Sequence, residues 1–129
     1  MEGELVSHNR IRLSKTATSR LSLLKGKTGI TPNILCRVGF CISLRDPIVP
    51  KVENYDEEGQ EINRYTLLGE WDKFFVALLK ERLIKDGLDP NKDLFSQLRA
   101  HMNRGAISLY DKVKTLEDFQ DLLPREGNP

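Results

Sequence analysis

Charged and apolar residues alternate from Arg10 to Leu13 with the period of a half-buried strand, so Ile11 and Leu13 point inward and Arg10 and Arg12 outward. Ser14 stands where its hydroxyl can accept from an otherwise unpaired first-turn N–H, and it predicts a helix from Lys15 to Lys25. Ala17, Leu21 and Leu24 share one face of that helix, while Lys15, Thr18, Ser19, Ser22 and Lys25 take the other. Gly26 and Gly29 are expected to stop it, leaving Lys25, Gly26 and Lys27 in a turn. Thr31 and Pro32 open the next helix as N-cap and first helical residue, with Ile30 and Leu35 spaced as a hydrophobic staple. Between Ile34 and Leu44 apolar or small residues surround the whole circumference, so the helix must be enclosed. Enclosure on all sides in a chain this small calls for a second subunit. Ile34, Leu35, Val38, Phe40 and Ile42 are therefore the expected oligomer interface, with Gly39 admitting a neighbouring helix closely.

The second half reads differently. Lys51 to Leu68 predicts an extended hairpin turning at Asp56, Glu57, Glu58 and Gly59. Glu70 to Asp86 predicts a helix in which Trp71, Phe74, Phe75, Leu78 and Leu79 recur at core spacing, ended by Asp86 and Gly87. Asp89 caps Pro90 at the head of a helix through His101 and Met102; Gly105 is expected to interrupt it, and two short helical pieces follow at Ile107 to Lys114 and Leu116 to Leu123. Met1 to His8 and Arg125 to Pro129 predict no regular structure. The expected fold is mainly α: a short N-terminal strand, a helix-turn-helix pair in ribbon-helix-helix order, a hairpin or extended segment, then C-terminal helices. One domain over residues 1–129 accommodates all of it.

Composition narrows the class. With 129 residues, 39% hydrophobic and 30% charged, the chain can bury a core without covalent staples. Its net charge of +1 conceals a division. Residues 1–52 carry 9 Lys and Arg against 3 Asp and Glu, and residues 53–129 carry 11 against 16. The cations Arg10, Arg12, Lys15, Arg20, Lys25 and Lys27, with Gly26 among them, fall on a consecutive strand, helix face and turn. That order predicts one basic surface for nucleic-acid phosphates, where each neutralised phosphate releases counterions. Nothing in it matches the bidentate code for base edges, so little sequence reading is expected. Two cysteines and no stretch near the roughly 20 apolar residues of a membrane helix predict a reduced, cytoplasmic protein without membrane contact.

Candidate chemistry is sparse. Gly26, Lys27 and Thr28 resemble the end of a nucleotide-binding loop, but the first glycine of that motif would fall at Leu21, and a helix rather than a strand precedes it. Cys36 and Cys41 lie about 140° apart around a helix, which keeps them from sharing one metal ion. Asp56, Glu57, Glu58 and Glu61 read as a solvated turn rather than a cation site. No metal, no cofactor and no catalytic residue is predicted.

The run SKTATSRLSLLKGKTGITPNILCRVGFCISL, followed by GEWDKFFVALL, resembles the DndE family, the small subunit of the bacterial machinery that replaces a non-bridging phosphate oxygen of DNA with sulfur. The resemblance extends over nearly the whole chain, with TGITPN and the apolar helix behind it as its most specific part. It implies a non-catalytic DNA-binding subunit that works beside the other Dnd modification proteins, among which a cysteine desulfurase supplies sulfur. It further implies a homo-oligomer, thought to be a tetramer, and a preference for nicked duplex DNA, with Lys25 and Lys27 on the phosphate-contacting surface. A transcriptional regulator of ribbon-helix-helix type is the alternative reading.

Overall fold

Residues 10–113 and 116–122 are described by the structure, a computed structural model. Strand β1 (Arg10–Arg12) pairs antiparallel with β2 (Glu61–Asn63), Ile11 opposite Ile62, so the apolar members of the alternation face the core and the charged ones face out. Helix α1 (Lys15–Thr28) begins where expected, with the Ser14 hydroxyl accepting from the Ala17 N–H at 3.0 Å. It does not stop at Lys25. Gly26 stays helical because nothing downstream competes for its backbone, and the stop comes at Gly29, whose φ of 73° is costly for any residue with a Cβ. Lys25, Gly26 and Lys27 thus form the last turn of a helix rather than a loop.

Helix α2 (Pro32–Arg45) follows, with Thr31 in the capping position and Pro32 in the first turn. The predicted hairpin from Lys51 to Leu68 is replaced by a 3-10 turn (Val52–Asn54), an irregular stretch, β2 and helix α3 (Arg64–Leu68). The reason lies outside the segment. Its carbonyls are taken by distant side chains: Arg99 donates to the carbonyls of Val52, Tyr55 and Asp56, and Gln97 to that of Pro50. A strand-to-strand ladder has no call on groups already satisfied.

A second 3-10 turn (Gly69–Trp71) leads into α4 (Asp72–Lys85), then α5 (Leu94–Lys112) and α6 (Leu116–Leu122). Gly105 does not break α5. It lies against Gly39 of α2 so closely that a Cβ added at Gly39 would stand 2.7 Å from the Gly105 carbonyl carbon, closer than real Cβ contacts come. The neighbouring helix that Gly39 admits belongs to the same chain, and α2 against α5 is the central pairing of the fold. Leu35, Cys36, Phe40, Leu79, Leu83, Met102 and Leu109 fill the space around it, each worth about 1.5–3 kcal/mol when fully enclosed.

Two aromatic residues depart from expectation. Phe75 is buried, but Trp71 and Phe74 are 54% and 56% exposed, because the enclosed side of α4 runs through Phe75, Leu79, Arg82 and Leu83. Met1 to His8 and Arg125 to Pro129 lie outside the described residues. Among the described residues no helix is long and apolar enough to cross a membrane.

Candidate nucleic-acid interface

Helix α1 carries Lys15, Arg20, Lys25 and Lys27 and no acidic residue. Its buried side is Ala17, Leu21 and Leu24, as the apolar spacing predicts, joined by Thr28 in the added last turn. Apart from the half-buried Thr18 and Arg20, the residues of the remaining arc are exposed: Lys15, Thr16, Ser19, Ser22, Leu23, Lys25, Gly26 and Lys27. At about 100° per residue Lys25 and Lys27 stand on opposite edges of that arc, with Lys15, Ser19, Ser22 and Gly26 between them. Small side chains in the middle leave room for a polyanion backbone to come near, and a Cβ at Gly26 would meet nothing within 4 Å. No lysine takes part in the described ion pairs, all of which involve arginine.

Other expected contacts are placed elsewhere. Arg10 and Arg12 project from β1 but are both held by Glu61, at 3.2 Å each, since register puts that carboxylate across the ribbon from them. Thr18 is occupied as well: its hydroxyl donates to the Ser14 carbonyl and accepts from the Gln60 N–H, pinning the irregular segment to α1. Arg20 is half-buried, its guanidinium 4.6 Å from the ring centroid of Tyr110 on α5, and the Lys27 ammonium is 5.2 Å from the same centroid. Seven residues apart, Arg20 and Lys27 share one flank and one aromatic ring, a cation–π arrangement that local spacing offers no means to foresee. The six cations therefore divide into an open arc (Lys15, Lys25, Lys27), a stacked position (Arg20) and a ribbon in which Arg10 and Arg12 share the single carboxylate of Glu61.

The start of α1 is set by a buried network. The Ser14 N–H donates to Asn103 Oδ1 at 2.7 Å, Asn103 Nδ2 donates to the Arg99 carbonyl, and Arg99 Nε donates to the Arg12 carbonyl. Asp56 accepts from the N–H groups of Lys15 and Glu58, both at 2.9 Å, and these bonds hold its carboxyl below the usual range. The acidic segment is thus a clasp for the helix N-terminus rather than a free turn.

On α2, Leu35 and Phe40 are fully enclosed by the chain itself, so they drop out of the expected oligomer interface: α5 supplies the cover that a second subunit was expected to give. Ile34, 46% exposed, and the half-buried Val38 and Ile42 form a stripe at intervals of four residues that α5 leaves open. Neither thiol is activated. Burial pushes Cys36 up to about 12, and it also raises Cys41, where nearby Arg45 works in the opposite direction. Among the described residues no group of three His, Cys, Asp or Glu could hold a metal ion.

The sequence profile of the family described as DNA sulphur modification protein DndE matches residues 10–117. The chain belongs to the DndE family. Among solved structures, the crystal structure of DndE from Escherichia coli B7A, involved in DNA phosphorothioation modification, is similar at 31% identity. The match covers 78% of this chain and 95% of that one, with a TM-score of 0.63. No curated protein matches. The mainly helical architecture behind a short two-stranded sheet is thus a DndE architecture, and the DndE family places the chain in DNA phosphorothioation.

Proposed function

We propose that this DndE-family chain is a non-catalytic DNA-binding subunit of the phosphorothioation machinery, acting as a homo-oligomer alongside the other Dnd proteins. The observation that carries the proposal is the exposed arc of α1, acid-free, with lysines on both edges and Lys15, hydroxyls, Gly26 and the exposed Leu23 between. Such a surface meets backbone phosphates without reading bases. Lys15, Lys25, Gly26 and Lys27 are the proposed contacts, Arg20 supports Lys27 through Tyr110, and Arg10 and Arg12 contribute only if Glu61 releases them. The deeply protonated Cys36 fits a subunit that leaves sulfur transfer to others. A break in one strand relaxes the duplex and lets its backbone follow the helix, the basis for a preference for nicked DNA.

A titration of intact, nicked and single-stranded DNA of several sequences at two salt concentrations tests this reading. Binding that is strongest on nicked duplex, indifferent to sequence and steeply weakened by salt is expected. A preference for one palindrome would instead favour a ribbon-helix-helix regulator, against which stands the use of β1 by β2 of the same chain. No binding to any DNA would end both readings.

Assembly is proposed through the open stripe Ile34, Val38 and Ile42, forming a tetramer. Ile34→Asp should dissociate it in sedimentation while leaving the circular dichroism of the fold intact, because a carboxylate forced into an apolar interface costs several kcal/mol. A variant that keeps the parent's mass would show that copies meet elsewhere.

A further inference from the structure

We infer that the cleft between the β1–β2 ribbon and α5 is a second anion site, whose ligand is a phosphomonoester. Arg10 and Arg12 from β1, Glu61 from β2, Glu57 from the irregular segment, and Phe95 and Arg99, one turn apart on α5, enclose a volume of about 480 Å³. The charges within it do not balance. Three guanidiniums meet two carboxylates, and Arg10 and Arg12, two residues apart on the outward side of β1, both reach for Glu61. Nor is the geometry that of a finished pair. Each contact is a single bond of 3.2 Å, whereas Arg64 grips Asp72 through two parallel bonds of 2.8 and 2.7 Å. The Arg99–Glu57 separation is longer still, 3.8 Å, and the Glu57 side chain stands mostly in solvent. A guanidinium offers five N–H donors, and Arg10 and Arg12 together use three in the described hydrogen bonds, two on Glu61 and one on the Gly59 carbonyl.

A phosphomonoester suits this imbalance better than a carboxylate does. It brings three terminal oxygens and close to two negative charges at neutral pH, and guanidiniums take such a group through parallel N–H bonds. Glu61 is then a stand-in that the ligand displaces, since exposed ion pairs of this kind are individually weak. Arg99 supplies the fixed positive wall: its side chain is buried and tied to the carbonyls of Arg12, Val52, Tyr55 and Asp56, which also sets the strand from which Arg12 projects. Phe95 offers an apolar side to the sugar or base that carries the phosphate. Asp56 does not compete, because its carboxylate is occupied by the N–H groups of Lys15 and Glu58. Two sources present this chemistry, a free nucleotide or the strand end at a break in a duplex. The second rests on the DNA-binding reading of α1; the site itself does not. Lys15 follows Arg12 by three residues, a span of about 10 Å at most, which puts the cleft beside the N-terminal end of the α1 arc.

Titration of the full chain with deoxythymidine monophosphate, followed by nuclear magnetic resonance, tests the site without DNA. Binding on the order of millimolar is expected, with thymidine as the silent control. Glu61→Gln should tighten it roughly threefold to tenfold. Arg10→Gln with Arg12→Gln should abolish it, and both positions are exposed, so the fold is expected to persist. Lys25→Ala with Lys27→Ala should leave it unchanged. No binding by either the parent or Glu61→Gln, binding that survives loss of both arginines, or binding lost with the two lysines overturns the site. A nicked duplex with a terminal phosphate at the break is then compared with one that ends in hydroxyls. Tighter binding of the phosphorylated nick, lost with Arg10 and Arg12, identifies the strand end as the source; equal binding overturns that source and assigns the cleft to a free nucleotide. Failure of both duplexes to bind, with the monophosphate still bound, rejects the DNA-binding reading and not the site.

Discussion

The arginines of the interior and the lysines of α1 carry the same charge and do opposite work. Arg82, Arg99 and Arg104 are drawn into the protein, where their planar forks hold the carbonyls of Arg12, Ser43, Leu44, Ile48, Val52, Tyr55 and Asp56. In effect they replace the ladder that residues 46–60 lack. Lys15, Lys25 and Lys27 stay outside the described ion pairs and line an exposed arc. The chemistry explains the division. A guanidinium presents five donors in fixed directions and tolerates partial dehydration, whereas an ammonium is a strongly hydrated point charge on a flexible stem. A count of positive residues cannot separate scaffold from contact surface; the side-chain type goes part of the way.

Breaking the arginine side of this contrast should have the largest effect. Arg99→Ala removes the donor from four part-buried hydrogen bonds at once and should lower stability by about 3 kcal/mol in a denaturant titration. A melt like the parent's would mean that water replaces the guanidinium without loss.

The next effect is pH-dependent. His101, fully buried beside Phe40, pairs through Nδ1 with the Ser43 hydroxyl at 2.8 Å, and that hydroxyl also accepts from Arg104 Nε. Burial, then the charges of Arg104 and Arg82, lower its pKa from 6.5 to about 3. Between those values the unfolded chain binds a proton that the folded chain refuses. The contribution of His101 to stability is therefore complete above pH 6.5 and is lost as pH falls, by about 1.4 kcal/mol per pH unit. In the window from pH 6.5 to 4.5, His101→Asn should flatten the stability profile; an equally steep variant would place the proton elsewhere.

The lysine side is sharpened by Lys25→Ala combined with Lys27→Ala. DNA affinity should fall about tenfold at moderate salt, alike for all sequences, and the salt slope should drop by about 1.8. Thermal stability should move by less than about 0.5 kcal/mol, since neither residue holds the fold together. A large loss of stability with unchanged affinity would invert the proposed division of labour.

How far the sequence could be read follows from the range over which each feature is decided. The Ser14 cap, the Ala17, Leu21 and Leu24 face and the Thr31–Pro32 start are settled within a few residues, and they stand as predicted. Gly105 stays helical against expectation because its helical penalty of about 1 kcal/mol is local, while the contact with Gly39 that offsets it lies 66 residues away. The hairpin failed for a like reason, its acceptors being claimed by Arg99 and Gln97 on α5. At the candidate interface, helical spacing placed Lys15 and Lys25 on the side of α1 away from the core, whereas Lys27 was expected in a turn and stands in the last turn of the helix. Spacing had no means of finding Glu61 opposite Arg10 and Arg12 or the ring of Tyr110 under Arg20, since each requires knowledge of which elements meet.

The backbone-to-backbone crossing of Gly39 and Gly105 has a consequence for how this scaffold can change. A methyl group at either position must drive the two helices apart, and no side-chain rotation can absorb it because the obstacle is main chain on both sides. Neither site can drift alone; evolution or a protein engineer must treat the two as a single locus, or accept a different angle between the helices and with it a different spacing of everything mounted on them.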